Sequence, residues 1–81
     1  MPSVTLYSRS SCHLCDEARD VLIAVREELP FELEEILIDD DLSLERAYGL
    51  RVPVVLVDGE EAFEVTVDAN DLRRILGGKD A

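Results

Sequence analysis

The sequence of residues 5–18 is TLYSRSSCHLCDEA, and this stretch decides the fold. It continues a short β-branched and aromatic segment, Ser3 to Tyr7, of the kind found in strands. From Cys12 onward the period changes, and apolar residues recur at steps of three and four, which predicts one face of a helix. Pro30 ends that helix near Leu29. The apolar face comprises Leu14, Ala18, Val21, Leu22, Val25 and Leu29.

The two cysteines of the chain, Cys12 and Cys15, lie where this strand passes into the helix. Free N–H groups and the helix dipole at a helix start favour a thiolate over a thiol. Cys15 follows one turn later on the same face, which places the Cα atoms roughly 5–6 Å apart, within disulfide range. Cys12 can therefore attack a disulfide as a nucleophile, and Cys15 can resolve the mixed disulfide.

Two other interpretations of the cysteine pair are buried, inert thiols and half of a metal site. Structural zinc needs about four ligands. The chain offers two cysteines and one histidine, His13, so a carboxylate or a second chain would have to complete a zinc site. The sequence favours redox chemistry, with no bound metal and no resident organic cofactor.

Two basic side chains flank the pair. His13 can tune Cys12 by its charge when protonated, or it can be an exposed spacer. Arg9 can stabilise the thiolate or hold a substrate carboxylate, or it can be a solvated surface arginine.

The second half of the chain supplies the remaining elements. Residues 31–38 predict a strand in which Phe31 and Leu33 are out of phase with Ile36 and Ile38, so we expect a bulge or a late start. The triplet 39–41 predicts a capped, solvated turn, because a hard cation would need more oxygen ligands in a defined loop. A short helix should follow through Tyr48, ended by Gly49.

The C-terminal segment predicts a hairpin and a last helix. The apolar run 54–57 is typical of a buried strand, and Asp58-Gly59 is a strong turn signal. Residues 62–67 predict the partner strand. Asp68 then caps a helix that Gly77-Gly78 ends, with Val67 and Leu72 as a hydrophobic staple. The predicted fold is α/β, in the order β-α-β-α-β-β-α, with a parallel β-α-β unit first and an antiparallel hairpin later.

Composition narrows the class of protein. A chain of 81 residues is enough for one domain, 1–81, and its formal net charge is −11, with 19 acidic residues against 8 basic ones. A chain this acidic repels phosphate backbones and anionic lipid, which argues against nucleic-acid or membrane binding. No segment has the pattern of a signal peptide or a membrane span. We expect a cytoplasmic monomer.

Residues 12–18 (CHLCDEA), together with 48–54 (YGLRVPV), resemble the small bacterial glutaredoxin-like proteins. The resemblance covers nearly the whole chain. It implies a thioredoxin-like fold with a four-stranded mixed sheet flanked by helices, and a cis bond between Val52 and Pro53. It also implies that Pro53 faces the cysteines and that the Val52 backbone pairs with an extended substrate segment.

The activity implied by this resemblance is dithiol–disulfide exchange with glutathione or protein disulfides, with contacts from Arg9, His13, Leu14, Val52, Pro53 and Asp68. One departure from the family pattern concerns glutathione. The glycine pair that typically precedes the last helix of a glutaredoxin is absent from residues 65–71, so backbone approach is more crowded. A metal or iron–sulfur module and a redox-inactive interaction domain are the alternative functions.

Overall fold

A four-stranded mixed sheet, in the order β2-β1-β3-β4, organises the computed structural model, which describes residues 1–79. β1 and β2 are parallel, and β3 runs antiparallel to both β1 and β4. The predicted order β-α-β-α-β-β-α and the mixed sheet are confirmed. The elements are β1 Ser3–Ser8, α1 His13–Glu28, β2 Glu32–Leu37, α2 Leu42–Tyr48, β3 Val54–Val57, β4 Glu60–Glu64 and α3 Ala69–Lys79.

The main core lies between the sheet and the helices α1 and α3. Val4 and Leu6 of β1 are fully buried there. Because strand side chains alternate, Tyr7 points to the opposite face, where its ring stacks on Tyr48 of α2 with centroids 4.4 Å apart. The core cluster comprises Val4, Leu6, Ala18, Leu22, Val25, Phe31, Val55, Val57, Leu72 and Leu76.

The two faces of the sheet explain the irregular apolar pattern of β2. Its pairing with β1 is unbroken from Ser3 opposite Glu32 to Ser8 opposite Leu37, so there is no bulge in this pair, and the strand starts one residue after Phe31. Leu33 packs against the core cluster, whereas Ile36 lies opposite Tyr7 on the other phase. Both phases of β2 are apolar because both faces of the sheet are covered.

The partner strand of the hairpin lies earlier than predicted, so the range 62–67 is wrong. Asp58 and Gly59 both have positive φ, 53° and 86°, and form a two-residue turn that returns the chain to pairing at Glu60, opposite Val57. The strand ends after Glu64 because the next residue, Val65, adopts a φ of 70°.

The last helix also differs from the prediction. It was expected to end at Gly77-Gly78, but α3 continues through both glycines to Lys79. Neither glycine adopts the positive φ of a helix-ending residue. The N-terminal prediction is confirmed, since Asp68 Oδ1 accepts a hydrogen bond of 2.9 Å from the N–H of Asp71.

The short helix α2 begins and ends as predicted. Asp41 caps it by accepting a 3.1 Å hydrogen bond from the N–H of Leu44, and Gly49 is its C-cap. Gly49 has right-handed helical angles, so left-handed freedom is not the reason for glycine here. A Cβ at this position would meet the carbonyl oxygen of Glu45 and lie 3.2 Å from Nη2 of Arg9.

Within residues 1–79, none of the helices combines the length and the apolar character needed to cross a bilayer.

Candidate active site

The cysteine pair lies at the carboxyl end of β1, where the chain turns into α1. Cys12 is the N-cap of α1, and its Sγ accepts a hydrogen bond of 3.2 Å from the N–H of Cys15. The two residues are joined by a disulfide, with Cα atoms 5.2 Å apart. Cys12 is half-buried, whereas Cys15 is completely buried. The sulfur of Cys12 thus holds the position in which a helix start stabilises negative charge.

The loop before Cys12 is held against α2 and the residues that flank it. Arg9 forms a bidentate ion pair with Glu45, and its Nη2 donates a 3.0 Å hydrogen bond to the carbonyl of Gly49. Ser10 donates to Asp39 through both its hydroxyl and its N–H. The Ser10 hydroxyl, followed by its N–H, holds the pKa of Asp39 below the ordinary value of an aspartate. The position of the cysteine loop therefore depends on contacts 29 to 40 residues away in sequence.

A second network lies beneath the loop and was not predicted. Ser8 is completely buried, and its hydroxyl donates a 2.7 Å hydrogen bond to Glu35 of β2. Arg19 of α1 donates to the same carboxylate through Nε, at 2.8 Å. The hydrogen bonds from Arg19, and then from Ser8, lower the pKa of Glu35 against the opposing effect of burial. No periodicity signals this cluster, because its three members belong to three elements.

The segment before β3 forms the second wall of the site. Tyr7 pairs with Val54, so the residues just before Val54 lie at the same end of the sheet as the cysteine loop. The Val52–Pro53 peptide is cis, as the resemblance implies, and Pro53 is buried. Within residues 1–79, neither the N–H nor the carbonyl of Val52 has a hydrogen-bond partner.

The chain after β4 is fastened to this wall by backbone bonds. The N–H of Val65 donates to the carbonyl of Pro53 at 2.8 Å and to that of Arg51 at 3.1 Å. These bonds fix Val65 in its left-handed conformation. The sequence contained no signal for them, since valine is unusual at positive φ.

A small pocket of about 110 Å³ separates α1 from this segment. Leu14, between the cysteines in sequence, lines one side and Val65 lines the other. Both side chains are partly exposed, at 40% and 42%. The remaining lining comes from Glu17, Ala18, Val21, Thr66 and Val67. Asp68 follows directly, with its carboxylate used as the cap of α3.

The structure places the two basic candidates differently. The side chain of His13 is 86% exposed, with its Nε2 3.6 Å from Glu17. The guanidinium of Arg9 is occupied by Glu45 and Gly49 and lies 4.0 Å from Asp39. Contacts of either residue with a substrate stay predictions. Among residues 1–79, no group of three or more His, Cys, Asp and Glu side chains is placed to hold a metal ion.

Comparison with known proteins found matches to a family model, to curated relatives and to solved structures. A family model described as "Glutaredoxin-like domain (DUF836)" matches residues 3–77. A protein of Mycobacterium tuberculosis is 35% identical over 77 residues, which cover 89% of this chain and 79% of the relative. The crystal structure of a structural genomics target protein from X. campestris is 41% identical, covers 93% of this chain and 96% of its own, and superposes with a TM-score of 0.79.

A mutant thioredoxin from Halobacterium salinarum superposes with a TM-score of 0.70 over 95% of this chain and 73% of its own. Its sequence identity is 24%, so this likeness shows the fold alone.

Proposed function

This chain belongs to the glutaredoxin-like domain (DUF836) family, and from that premise we propose that it is a thiol–disulfide oxidoreductase whose reactive groups are Cys12 and Cys15. The observation that carries the proposal is the position of the Cys12 sulfur as the N-cap of α1, where it accepts the N–H of Cys15. In the reduced protein the same donor and the helix dipole stabilise a Cys12 thiolate. The thiolate is the attacking species in disulfide exchange.

The proposed reaction has two exchange steps. The Cys12 thiolate attacks one sulfur of a substrate disulfide, so that a Cys12–substrate disulfide forms and the other substrate sulfur leaves as a thiolate, which takes up a proton. Cys15 then loses its proton to solvent and attacks Cys12 Sγ, which closes the Cys12–Cys15 disulfide and releases the second substrate thiol. Two electrons pass from the protein to the substrate, and two low-molecular-weight thiols or one protein dithiol return them, and are themselves oxidised to a disulfide.

The difference in burial assigns the two roles. Cys12 is half-buried and can meet a substrate sulfur, whereas Cys15 is completely buried behind it. Burial thereby prevents Cys15 from attacking external disulfides directly. It lies within one helical turn of the mixed disulfide that it must resolve. We expect alkylation of Cys12 in the reduced protein to have a pH midpoint below the ~8.5 of a free thiol.

The partners we propose are protein disulfides or glutathione, with no resident organic cofactor. The unpartnered N–H and carbonyl of Val52 are suited to pair with the backbone of an extended substrate segment. Arg9, His13, Leu14, Pro53 and Asp68 are the further candidate contacts. We also propose that the protein acts as a monomer in the cytoplasm.

Two serine variants test the proposal. Cys15→Ser, reduced and mixed with a disulfide substrate, should accumulate a stable mixed disulfide on Cys12, because the resolving thiol is missing. The matched variant Cys12→Ser should form none, because Cys15 is buried. Mass spectrometry of the intact proteins after acid quenching distinguishes the two.

Equilibration of the unmodified protein across a series of glutathione redox buffers, with free thiols alkylated before mass analysis, should give a defined midpoint for the Cys12–Cys15 disulfide. If neither serine variant forms an adduct and the midpoint is missing, the oxidoreductase proposal fails. A metal-binding or interaction domain then becomes the better explanation.

A further inference from the structure

The charges around the cysteine pair restrict which disulfides can approach it. Three segments surround the pair: residues 8–18, 49–53 and 64–68. They contain Arg9, His13 and Arg51 as basic residues and Asp16, Glu17, Glu64 and Asp68 as acidic ones. Beyond this local count, the whole chain carries a formal charge of −11.

The two arginines of these segments are already neutralised by carboxylates. Arg9 forms its bidentate pair with Glu45. Arg51 donates to Glu61 at 2.7 Å and to Glu64 at 3.1 Å, and it lies over the ring of Tyr48. Recruiting either guanidinium for a substrate carboxylate would break an existing charge-assisted bond.

Glu17 is the carboxylate without such compensation at the pocket that Leu14 and Val65 line. It lines the pocket, its side chain is 61% exposed, and its one ionic neighbour among residues 1–79 is His13, at 3.6 Å. The rest of the pocket wall is mostly apolar, including the partly exposed Leu14 and Val65. A ligand group that enters this pocket meets a mostly apolar surface with the Glu17 carboxylate at one side.

These features are unfavourable for glutathione disulfide. Each glutathione half carries two carboxylates and a single ammonium group, so it is a net anion, and both arginines of the surrounding segments are already paired with carboxylates. The pocket instead complements an apolar side chain next to a basic one. The unpaired backbone groups of Val52 supply the remaining contact for an extended peptide.

We propose that, of the two candidate partners, this site favours disulfides carried on extended, basic protein segments, with an apolar side chain in the Leu14–Val65 pocket, and that anionic disulfides such as glutathione disulfide react more slowly. This specificity rests on the proposed oxidoreductase activity. Electrostatic complementarity of this kind acts mainly on the association rate and is weakened by salt.

A charge series of small disulfides tests the electrostatic part. The probes are cystamine, 2-hydroxyethyl disulfide and 3,3′-dithiodipropionate, which are cationic, neutral and anionic at neutral pH. Stopped-flow mixing with the reduced protein gives each rate constant, divided by that of 2-mercaptoethanol with the same probe to remove differences in leaving group. We expect the cationic probe to be favoured over the anionic one by roughly tenfold or more at low salt. In 1 M NaCl, where the Debye length is ~3 Å, the preference should largely disappear.

Two variants separate the effect of the Glu17 carboxylate from the effect of the net charge of the chain. Glu17→Gln should reduce the cationic-to-anionic ratio by about threefold. Glu60→Gln changes the net charge equally, but it lies just after the hairpin turn, at the opposite end of the sheet, and should leave the ratio nearly unchanged. Equal normalised rates for the three probes, or equal effects of the two variants, would overturn the specificity.

A peptide pair tests the pocket. Mixed disulfides of a basic peptide, with leucine or serine beside its cysteine, should differ in rate in favour of leucine by about threefold or more. Equal rates would overturn the pocket assignment. Failure of every probe to react would instead overturn the oxidoreductase activity itself.

Discussion

The two walls of the site differ in the sequence range of the contacts that form their key groups. The first wall, residues 8–15, ends in a helix start whose main contact, Cys12 with Cys15, spans three residues. The second wall, residues 51–53 and 65–68, is held by bonds from Val65 to Arg51 and Pro53, which lie more than ten residues away. The cap that Cys12 forms with Cys15 therefore depends on local structure, although long-range contacts of Arg9 and Ser10 position its loop, whereas the surface that receives the substrate depends on the assembled hairpin. The site can be expected to lose substrate recognition before it loses its reactive pair.

The largest effect should come from removing the bonds that fasten the second wall. Val65→Pro eliminates the N–H that donates hydrogen bonds to two carbonyls. It also imposes a negative φ at a position where φ is 70°. We expect it to lower the free energy of unfolding by about 3 kcal/mol in urea titrations. Val65→Ala, which keeps the N–H, should change it by about 1 kcal/mol at most. Similar losses in both variants would show that the side chain, and not the backbone bonds, holds the wall.

A glycine comparison probes how the first wall is attached. Gly49→Ala should destabilise the protein by about 2 kcal/mol, because its Cβ meets the Glu45 carbonyl and crowds Arg9. Gly77→Ala, in open space within α3, should stabilise it by about 1 kcal/mol. Thermal unfolding followed by circular dichroism measures both. A neutral Gly49→Ala would mean that the Arg9–Glu45 attachment tolerates displacement.

Relieving the conformation of Val65 should have a smaller effect of opposite sign. Val65→Gly removes the cost of a left-handed valine, about 1 kcal/mol, and sacrifices little packing because the side chain is 42% exposed. We expect unchanged or increased stability. Val67→Gly serves as the control: Val67 packs against the core without positive φ, so its loss should destabilise. A clear loss in Val65→Gly would show that the pocket lining contributes more than the strain removes.

The smallest expected effect is on the pH dependence of stability, through Glu35 in the network beneath the first wall. The folded-state pKa of Glu35 is lowered by Arg19 and Ser8, so its contribution is present above the unfolded value of ~4.3 and is lost as pH falls through the folded value. Glu35→Gln should therefore flatten the decline of stability on the acid side of pH 5. Glu34→Gln, whose carboxylate has no partner within residues 1–79, should retain the decline. If stability declined with the same slope below pH 5 in all three proteins, Glu35 would not be the cause of the acid sensitivity.

Much of the fold was predictable because its signals act over a few residues. The caps Asp41 and Asp68 and the Asp58-Gly59 turn each rest on interactions within about four positions, and the apolar face of α1 shows as a spacing of three and four residues. The same holds for the cysteine pair, since a spacing of three residues at a helix start places the two sulfurs together. The bounds of β4 and the end of α3 were predicted wrongly, because turn geometry and packing decided them rather than composition.

What the sequence determined by itself was the reactive chemistry: Cys12 at a helix start and Cys15 one turn behind it, in a β-α-β frame. Only the tertiary structure decided the surroundings of that chemistry. It committed Arg9 to Glu45 and brought Leu14 against Val65, and it left the backbone of Val52 unpaired. The physical reason is the range of the interactions. Helix caps are satisfied by near neighbours in the chain and periodic faces are visible in a short window of sequence, whereas ion pairs and backbone bonds between elements exist only once the sheet has assembled.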